Sequence, residues 1–314
     1  MTTNDHFDHF DGQKFRNLKN VSPAPFSQVP RMMSERGAPW PASVPVVAQV
    51  PEPLGDATAV VTFIGHATFL IQTKAGNFIT DPIYSDIAGP LNLAGPRRSR
   101  APGVRFEDLP PISTILLSHN HYDHCDIGTL RRLRKRFNPD VITPIGNARY
   151  ARKAGLRKVE ELDWWDSATT LPVTLTPSQH FSARTLWDRN RALWGGFMIQ
   201  VGHRRLYFAG DSGYGDFFRE IRRRLGPIDF AMLPIGAYEP RWFMQPIHMN
   251  PAEAVQVHLD LESPRSVAMH YGTFRMTIEG IDAPLVALDE ARRHHGVSPE
   301  QFGPLDFGAS LRID

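Results

Sequence analysis

From about residue 55 onward, apolar positions recur with two different periods, and the period changes mark the elements of the chain. Ala59-Val60-Val61-Thr62-Phe63-Ile64 and Thr68-Phe69-Leu70-Ile71 are β-rich runs. A turn at Ala75-Gly76-Asn77 leads into a third, Phe78-Ile79-Thr80. Further short apolar runs are Thr114–Leu117, Val173–Leu175, Leu206–Ala209, Phe230–Leu233 and Ser266–Met269. Between them the spacing becomes helical. Ile127, Leu130, Leu133 and Phe137 share one face of a segment starting after Asp126. Ala252, Val255 and Leu259 do the same after Asn250-Pro251, where asparagine caps and proline suits a first helical turn. Strands alternating with helices predict an α/β protein.

Residues 1 to about 55 behave differently. They lack periodicity and carry Pro23, Pro25, Pro30, Pro39, Pro41, Pro45, Pro51 and Pro53, which predicts an extended arm without helices or central strands. Asp5-His6 and Asp8-His9 are read as part of a mobile polar terminus rather than as ligands. The expected organisation is therefore an extended arm over 1–55 and a single domain over 56–314.

Composition narrows the class. An apolar fraction of 41% and a charged fraction of 22% are globular values. A net charge of +2 gives no reason to expect nucleic acid as a partner. The one cysteine, Cys125, excludes an intrachain disulfide and fits a reducing compartment; it is read as a small apolar residue at a helix start. The first thirty residues do not resemble a secretory signal, and no apolar run approaches the ~18 residues of a membrane span. The expected location is cytoplasmic, with contact at the inner membrane face left open.

The chemistry lies just beyond the apolar runs. Thr114–Leu117 leads into His119, His121, Asp123 and His124; Val173–Thr176 into His180; Leu206–Ala209 into Asp211; Ser266–Met269 into His270. Open α/β sheets place their sites at such strand ends. In an extended segment His119 and His121 point to one side and can share a metal, while the bend toward the helix turns Asp123 and His124 to a second. Imidazole and carboxylate suit zinc and remain compatible with iron or manganese. Paired ions in hydrolases lie ~3.5–4 Å apart and lower the pKa of a bound water, so no serine or cysteine nucleophile is needed.

The string His119-Asn120-His121-Tyr122-Asp123-His124 resembles the His-x-His-x-Asp-His signature of the metallo-β-lactamase fold superfamily. The similarity narrows to the N-acylphosphatidylethanolamine-hydrolysing phospholipase D family and its bacterial relatives. The similar stretches are Gly65-His66-Ala67-Thr68, Thr80-Asp81-Pro82-Ile83, Leu193-Trp194-Gly195, Phe208–Tyr214, Pro234–Met244 and His270–Phe274. The resemblance implies a four-layer αβ/βα sandwich with the site between two sheets. It implies two zinc ions, one on His119, His121 and His180, the other on Asp123, His124 and His270, with Asp211 bridging. It also places His248 against the substrate, for phosphate binding or leaving-group protonation, and makes Asp123, Asp211 and His248 the expected catalytic set.

Around these ligands, Asp81 is the expected partner that orients a histidine, with His66 in the same supporting role. Arg184, four residues after His180, is the expected clamp on a phosphate oxygen. Trp187, Trp194, Tyr238, Trp242, Phe243 and Met244 are candidates for an acyl-chain channel, with Tyr238 and Trp242 as substrate contacts. Arg97-Arg98-Ser99-Arg100 and Arg131–Arg136 are candidates for anionic headgroups. The leading expectation is a phospholipase D-type phosphodiesterase acting on a phospholipid. The alternatives are a lactonase or esterase with a non-lipid substrate, and a non-catalytic metal- or lipid-binding protein. A homodimer is left open.

Overall fold

The computed structural model describes residues 9–185 and 187–314, so Asp5, His6 and Asp8 lie outside the described residues. Among the described residues, thirteen strands form two mixed sheets. The first sheet contains β1 (Ala59–Gly65), β2 (Thr68–Thr73), β3 (Gly76–Thr80), β4 (Thr114–Leu116), β5 (Asp140–Pro144), β6 (Val159–Leu162) and β13 (Ser310–Ile313), in the order β13-β1-β2-β3-β4-β5-β6. The second contains β7 (Val173–Thr176), β8 (Gly196–Val201), β9 (Arg204–Phe208), β10 (Phe230–Pro234), β11 (Ser266–Met269) and β12 (Phe302–Gly303), in the order β12-β11-β10-β9-β8-β7. Each sheet has an antiparallel part built from hairpins and a parallel part built from helical crossovers.

Period-two alternation separates the core into layers. In β1 and β2, Ala59, Val61, Phe63, Phe69 and Ile71 join one cluster with Val173, Leu175, Phe197, Ile199 and Phe208 of the second sheet. Their neighbours Ile64 and Leu70 face the other way, packing with Leu130 and Leu133 of α2 (Ile127–Arg136) and Ala151 of α3 (Ala148–Lys153). On the far side, α4 (Phe217–Leu225), α6 (Pro251–Asp260) and α7 (Ala283–His295) cover the second sheet through Phe218, Val255 and Leu288. The result is the expected αβ/βα sandwich. Each fully buried phenylalanine of the inter-sheet layer contributes roughly 1.5–3 kcal/mol.

The local start signals act as read. Asp126 caps α2 by accepting from Gly128 N, and Asn250 and Glu253 form a reciprocal capping box ahead of α6 with Pro251 in its first turn. Cys125 is buried among apolar residues, and burial pushes its thiol up to about 12, as a core residue rather than a ligand.

The arm departs from expectation. Proline does not prevent a helix there: α1 (Val29–Ser34) carries Pro30 in its first turn, where no intrahelical N–H is required. Nor is His9 mobile. Its Nε2 lies 2.8 Å from Asp163 Oδ1 and its ring stacks on Trp164 at 4.3 Å. Among the described residues, no helix is long and apolar enough to cross a membrane.

Candidate metal centre

The carboxyl ends of strands from both sheets meet at one place. His66 follows β1, Asp81 follows β3, Ser118 to His124 follow β4, His180 follows β7, Asp211 follows β9 and His270 follows β11. The segment after β10, including the short α5 (Arg241–Met244), returns His248 to the same point; Arg241 holds it by donating to the His248 carbonyl and to both oxygens of Glu253. The turns are tight. His66 and His270 both adopt left-handed backbone conformations (φ 57° and 61°), and the His270 N–H donates to the His66 carbonyl at 2.8 Å. Such conformations cost of order 1–3 kcal/mol in a non-glycine residue and concentrate at functional sites. Gly210 (φ 61°), just before Asp211, has a reason to be glycine: a Cβ there would meet the Gly195 carbonyl at 2.9 Å and Ser118 at 3.1 Å.

Three imidazole nitrogens converge on one side. His121 Nδ1 lies 2.9 Å from His119 Nε2 and 3.1 Å from His180 Nε2. Their other nitrogens fix the tautomers. The Ile247 carbonyl can only accept, so His180 Nδ1 carries the proton at 2.9 Å. Ser118 Oγ donates to Asp81 Oδ2 at 2.5 Å and therefore accepts from His119 Nδ1 at 2.9 Å. His119 and His180 thus aim lone pairs at His121 Nδ1, where a single proton could satisfy only one of them. Three nitrogens at the ~2.0–2.1 Å of a zinc ligand would be spaced about 3.3 Å apart, which fits these separations. Burial keeps all three neutral, the ligating form: His119 is held well below its usual range, His121 at about 3 and His180 at about 4.

The second group is ionic. Asp123 Oδ2 lies 3.3 Å from His124 Nε2 and 3.4 Å from His270 Nε2, and accepts from His66 Nε2 at 2.9 Å. Asp211 Oδ2 lies 3.1 Å from His124 Nε2, 3.2 Å from His270 Nε2 and 3.8 Å from His180 Nε2, on the border between the two groups. Burial alone would neutralise these residues. The carboxylates instead push His124 well above its usual range and His270 to about 9, and the histidines hold Asp123 and Asp211 well below theirs. Distances of 3.1–3.4 Å without hydrogen-bond alignment leave the Nε2 atoms of His124 and His270 unsatisfied, along with Asp211 Oδ1. Buried carboxylates demand positive charge, and a metal ion supplies it while accepting the unused lone pairs. The donor set fits metal.

A family profile described as "Beta-lactamase superfamily domain" matches residues 76–271, which hold all of these histidines and aspartates except His66. The chain belongs to the beta-lactamase superfamily. Within it, the chain is 39% identical over 229 residues to the N-acyl-phosphatidylethanolamine-hydrolyzing phospholipase D 1 of Caenorhabditis elegans, covering 68% of this chain and 64% of that one. It is 32% identical over 252 residues to the mitochondrial N-acyl-phosphatidylethanolamine-hydrolyzing phospholipase D of Saccharomyces cerevisiae, covering 77% and 54%. The chain thus spans less than two thirds of the length of either relative. Among solved structures, an isothiocyanate hydrolase from Delia radicum gut bacteria shares the fold, with a TM-score of 0.65 at 21% identity over 81% of this chain and 99% of that one.

In this member of the superfamily, a cavity of about 270 Å³ opens above the two groups. His121, Asp123, His180, Asp211, His248 and His270 form its floor, and Met32, Phe181, Phe243, Met244, Ile247 and Met276 its walls. His248 Nε2 stands 3.9 Å from Asp211 Oδ2, and its Nδ1 is buried without a partner. Asp81 orients His124 as expected, accepting its Nδ1–H at 2.7 Å. His66 supports Asp123; its Nε2 is committed to that carboxylate.

Other expectations fail on geometry. Arg184 is no phosphate clamp: its Nη1 donates to the carbonyls of Asn120 (2.9 Å) and Cys125 (2.7 Å), bracing the ligand loop, and its plane covers the Tyr122 ring at 3.9 Å. Tyr238 is buried off the cavity lining, and Trp242 lies at the surface, donating to Glu35 beneath the Arg31 guanidinium. Trp194 is core, with Nε1 donating to Ser178 O and Asn17 Oδ1, while Trp187 is exposed. Of the six candidates for an acyl-chain channel, Phe243 and Met244 reach the cavity.

Asn17 was not singled out from the sequence. From within the arm, its Nδ2 donates to His180 O at 2.8 Å and its Oδ1 accepts from His180 N at 2.9 Å. Nothing in sequence spacing announces a partner 163 residues away. Removing an outer support of a ligand typically costs 10–100-fold in metal affinity or activity. Asn17→Ala is therefore expected to weaken metal binding by about tenfold or more, measured by competition with a chromophoric chelator. Wild-type affinity in the variant would remove the arm from the site.

Proposed function

We propose that this chain is a dinuclear metal-dependent phosphodiesterase of the phospholipase D type, hydrolysing N-acylphosphatidylethanolamine-like phospholipids. The observation that carries the reading is the cavity itself: a floor of converging imidazoles and carboxylates under walls of methionine, phenylalanine and isoleucine. A phosphodiester fits the floor and an acyl chain the walls. The two named phospholipases among the relatives support the same reading.

In this reading His119, His121 and His180 would hold one ion and Asp123, His124 and His270 the other, with Asp211 available to both; the donor set suits zinc. When bound, the ions supply an activated water near neutral pH and neutralise charge developing on the phosphoryl oxygens. The chain's own residues do the rest. Asp81 and Ser118 set the tautomers of His124 and His119. His248, held neutral by burial, would offer the substrate phosphate an N–H at the cavity floor. The apolar walls keep bulk water off the reacting bond.

The test is product analysis with metal-loaded protein. N-acylphosphatidylethanolamine in mixed micelles is expected to give an N-acylethanolamine and phosphatidic acid. Turnover of a lactone or ester panel with the phospholipid left intact would replace this reading by carbonyl hydrolysis.

A further inference from the structure

The outer helices of the first sheet carry a concentration of cations that the near-neutral chain as a whole does not. Against a net charge of +2, Arg134 of α2, Arg152 and Lys153 of α3, and Arg157 just beyond have no acidic side chain paired with them among the described residues. Arg134, Arg152 and Arg157 line one surface hollow of about 370 Å³. Lys153 and Arg149 line a second, of about 360 Å³, together with Leu91 and the loop residues Thr185 and Asp188, the last paired with Arg149 at 3.5 Å.

Exposed apolar side chains flank this hollow in the chain: Leu91, which lines it, is 87% exposed, Leu93, two residues on, 77%, and Trp187, next to Asp188, 82%. Large apolar side chains this exposed forgo the favourable transfer from water that drives the rest of the fold, and grouped beside cations they mark an interaction surface. Tyr122 lines both the second hollow and the metal cavity, so this edge adjoins the cavity mouth.

We propose that this face, with Leu91, Leu93 and Trp187 as inserted tips and Arg152, Lys153 and Arg157 as headgroup contacts, docks the protein on an anionic lipid bilayer. The choice of a lipid surface rests on the phospholipid reading above. The chemistry is that of interfacial binding: leucine enters the acyl boundary, tryptophan lies at headgroup level, and guanidinium and ammonium groups meet anionic lipid. Nucleic acid would also satisfy the cations, but it offers no medium for the two leucines.

The experiment is vesicle sedimentation of the metal-loaded full chain. Phosphatidylcholine vesicles with and without phosphatidylglycerol are compared, and Trp187 quenching by brominated acyl chains is read against W187F. Binding is expected only with the anionic lipid. Leu91→Ser with Leu93→Ser should weaken it about tenfold, and Arg152→Gln or Arg157→Gln about fivefold each. Both sets should cleave a dispersed short-chain substrate as wild type does. No vesicle binding, binding unchanged in the variants, tighter binding of duplex DNA than of vesicles, or a dimer dispersed by the leucine changes would each overturn the proposal. Vesicle binding with no phospholipid cleavage would leave the docking face standing and remove the function assigned to the site.

Discussion

Asp211→Asn is expected to abolish turnover, with kcat/KM lower by about three orders of magnitude or more, about 4 kcal/mol of transition-state stabilisation. One oxygen of Asp211 stands within 3.1–3.2 Å of His124 and His270 and 3.8 Å from His180, so it faces the Nε2 atoms of both groups of candidate ligands. Asparagine keeps the shape but removes the charge that the buried histidines answer, and it puts an N–H₂ donor where lone pairs are required. The fold should survive, because the packing around Gly210 and the inter-sheet core are untouched. Elemental analysis, thermal melting and kinetics together decide it. A folded variant with wild-type activity would sink the ligand assignment.

The second large effect is expected at a residue that touches no candidate ion. Both oxygens of Asp81 only accept: Oδ1 takes Ser118 N at 2.7 Å, and Oδ2 takes Ser118 Oγ at 2.5 Å and His124 Nδ1 at 2.7 Å. Asparagine must turn its N–H₂ toward at least one of these donors. If it faces Oδ2's partners, His124 shifts its proton to Nε2 and Ser118 releases His119, spoiling one ligand in each group. Asp81→Asn should therefore lose about 10–100-fold in metal affinity and a similar factor in kcat/KM. A shortfall in both ions, read as metal per chain after dialysis, distinguishes this from the loss of one. Full occupancy with unchanged kinetics would show that Asp81 merely shapes the turn.

The ligands were legible because their signal is local. A short apolar run fixes a strand, and polar residues just past its end fall where open sheets place sites, so His119 to His124, His180, Asp211 and His270 could be grouped without coordinates. Asp81 was legible for the same reason. Arg184 was not, because a guanidinium's partners are chosen by tertiary approach, and here the Asn120 and Cys125 carbonyls reach it first. Trp187 and Trp194 illustrate the limit for aromatics: seven residues apart, one is solvent-exposed and the other sealed beneath the site. The strands β5, β6, β8, β12 and β13 also escaped. β13 is a four-residue edge whose meaning lies in pairing with β1 across some 250 residues. The arm was misjudged for a related reason, since proline density reports local conformation and says nothing of what Asn17 or His9 will meet.

The span of the cluster sets when it can exist during synthesis. His66, which supports Asp123, and the candidate ligand His270 stand about two hundred residues apart and share a backbone hydrogen bond, with the remaining candidate ligands between them. At ~5–20 residues per second, some tens of seconds separate the emergence of the first from that of the last. For that interval the nascent chain can hold at most the three-histidine half, complete once His180 has emerged and been gripped by Asn17 from behind. In the proposed two-ion reading, the carboxylate-rich half can close only once β11 has emerged and brought His270 to the others.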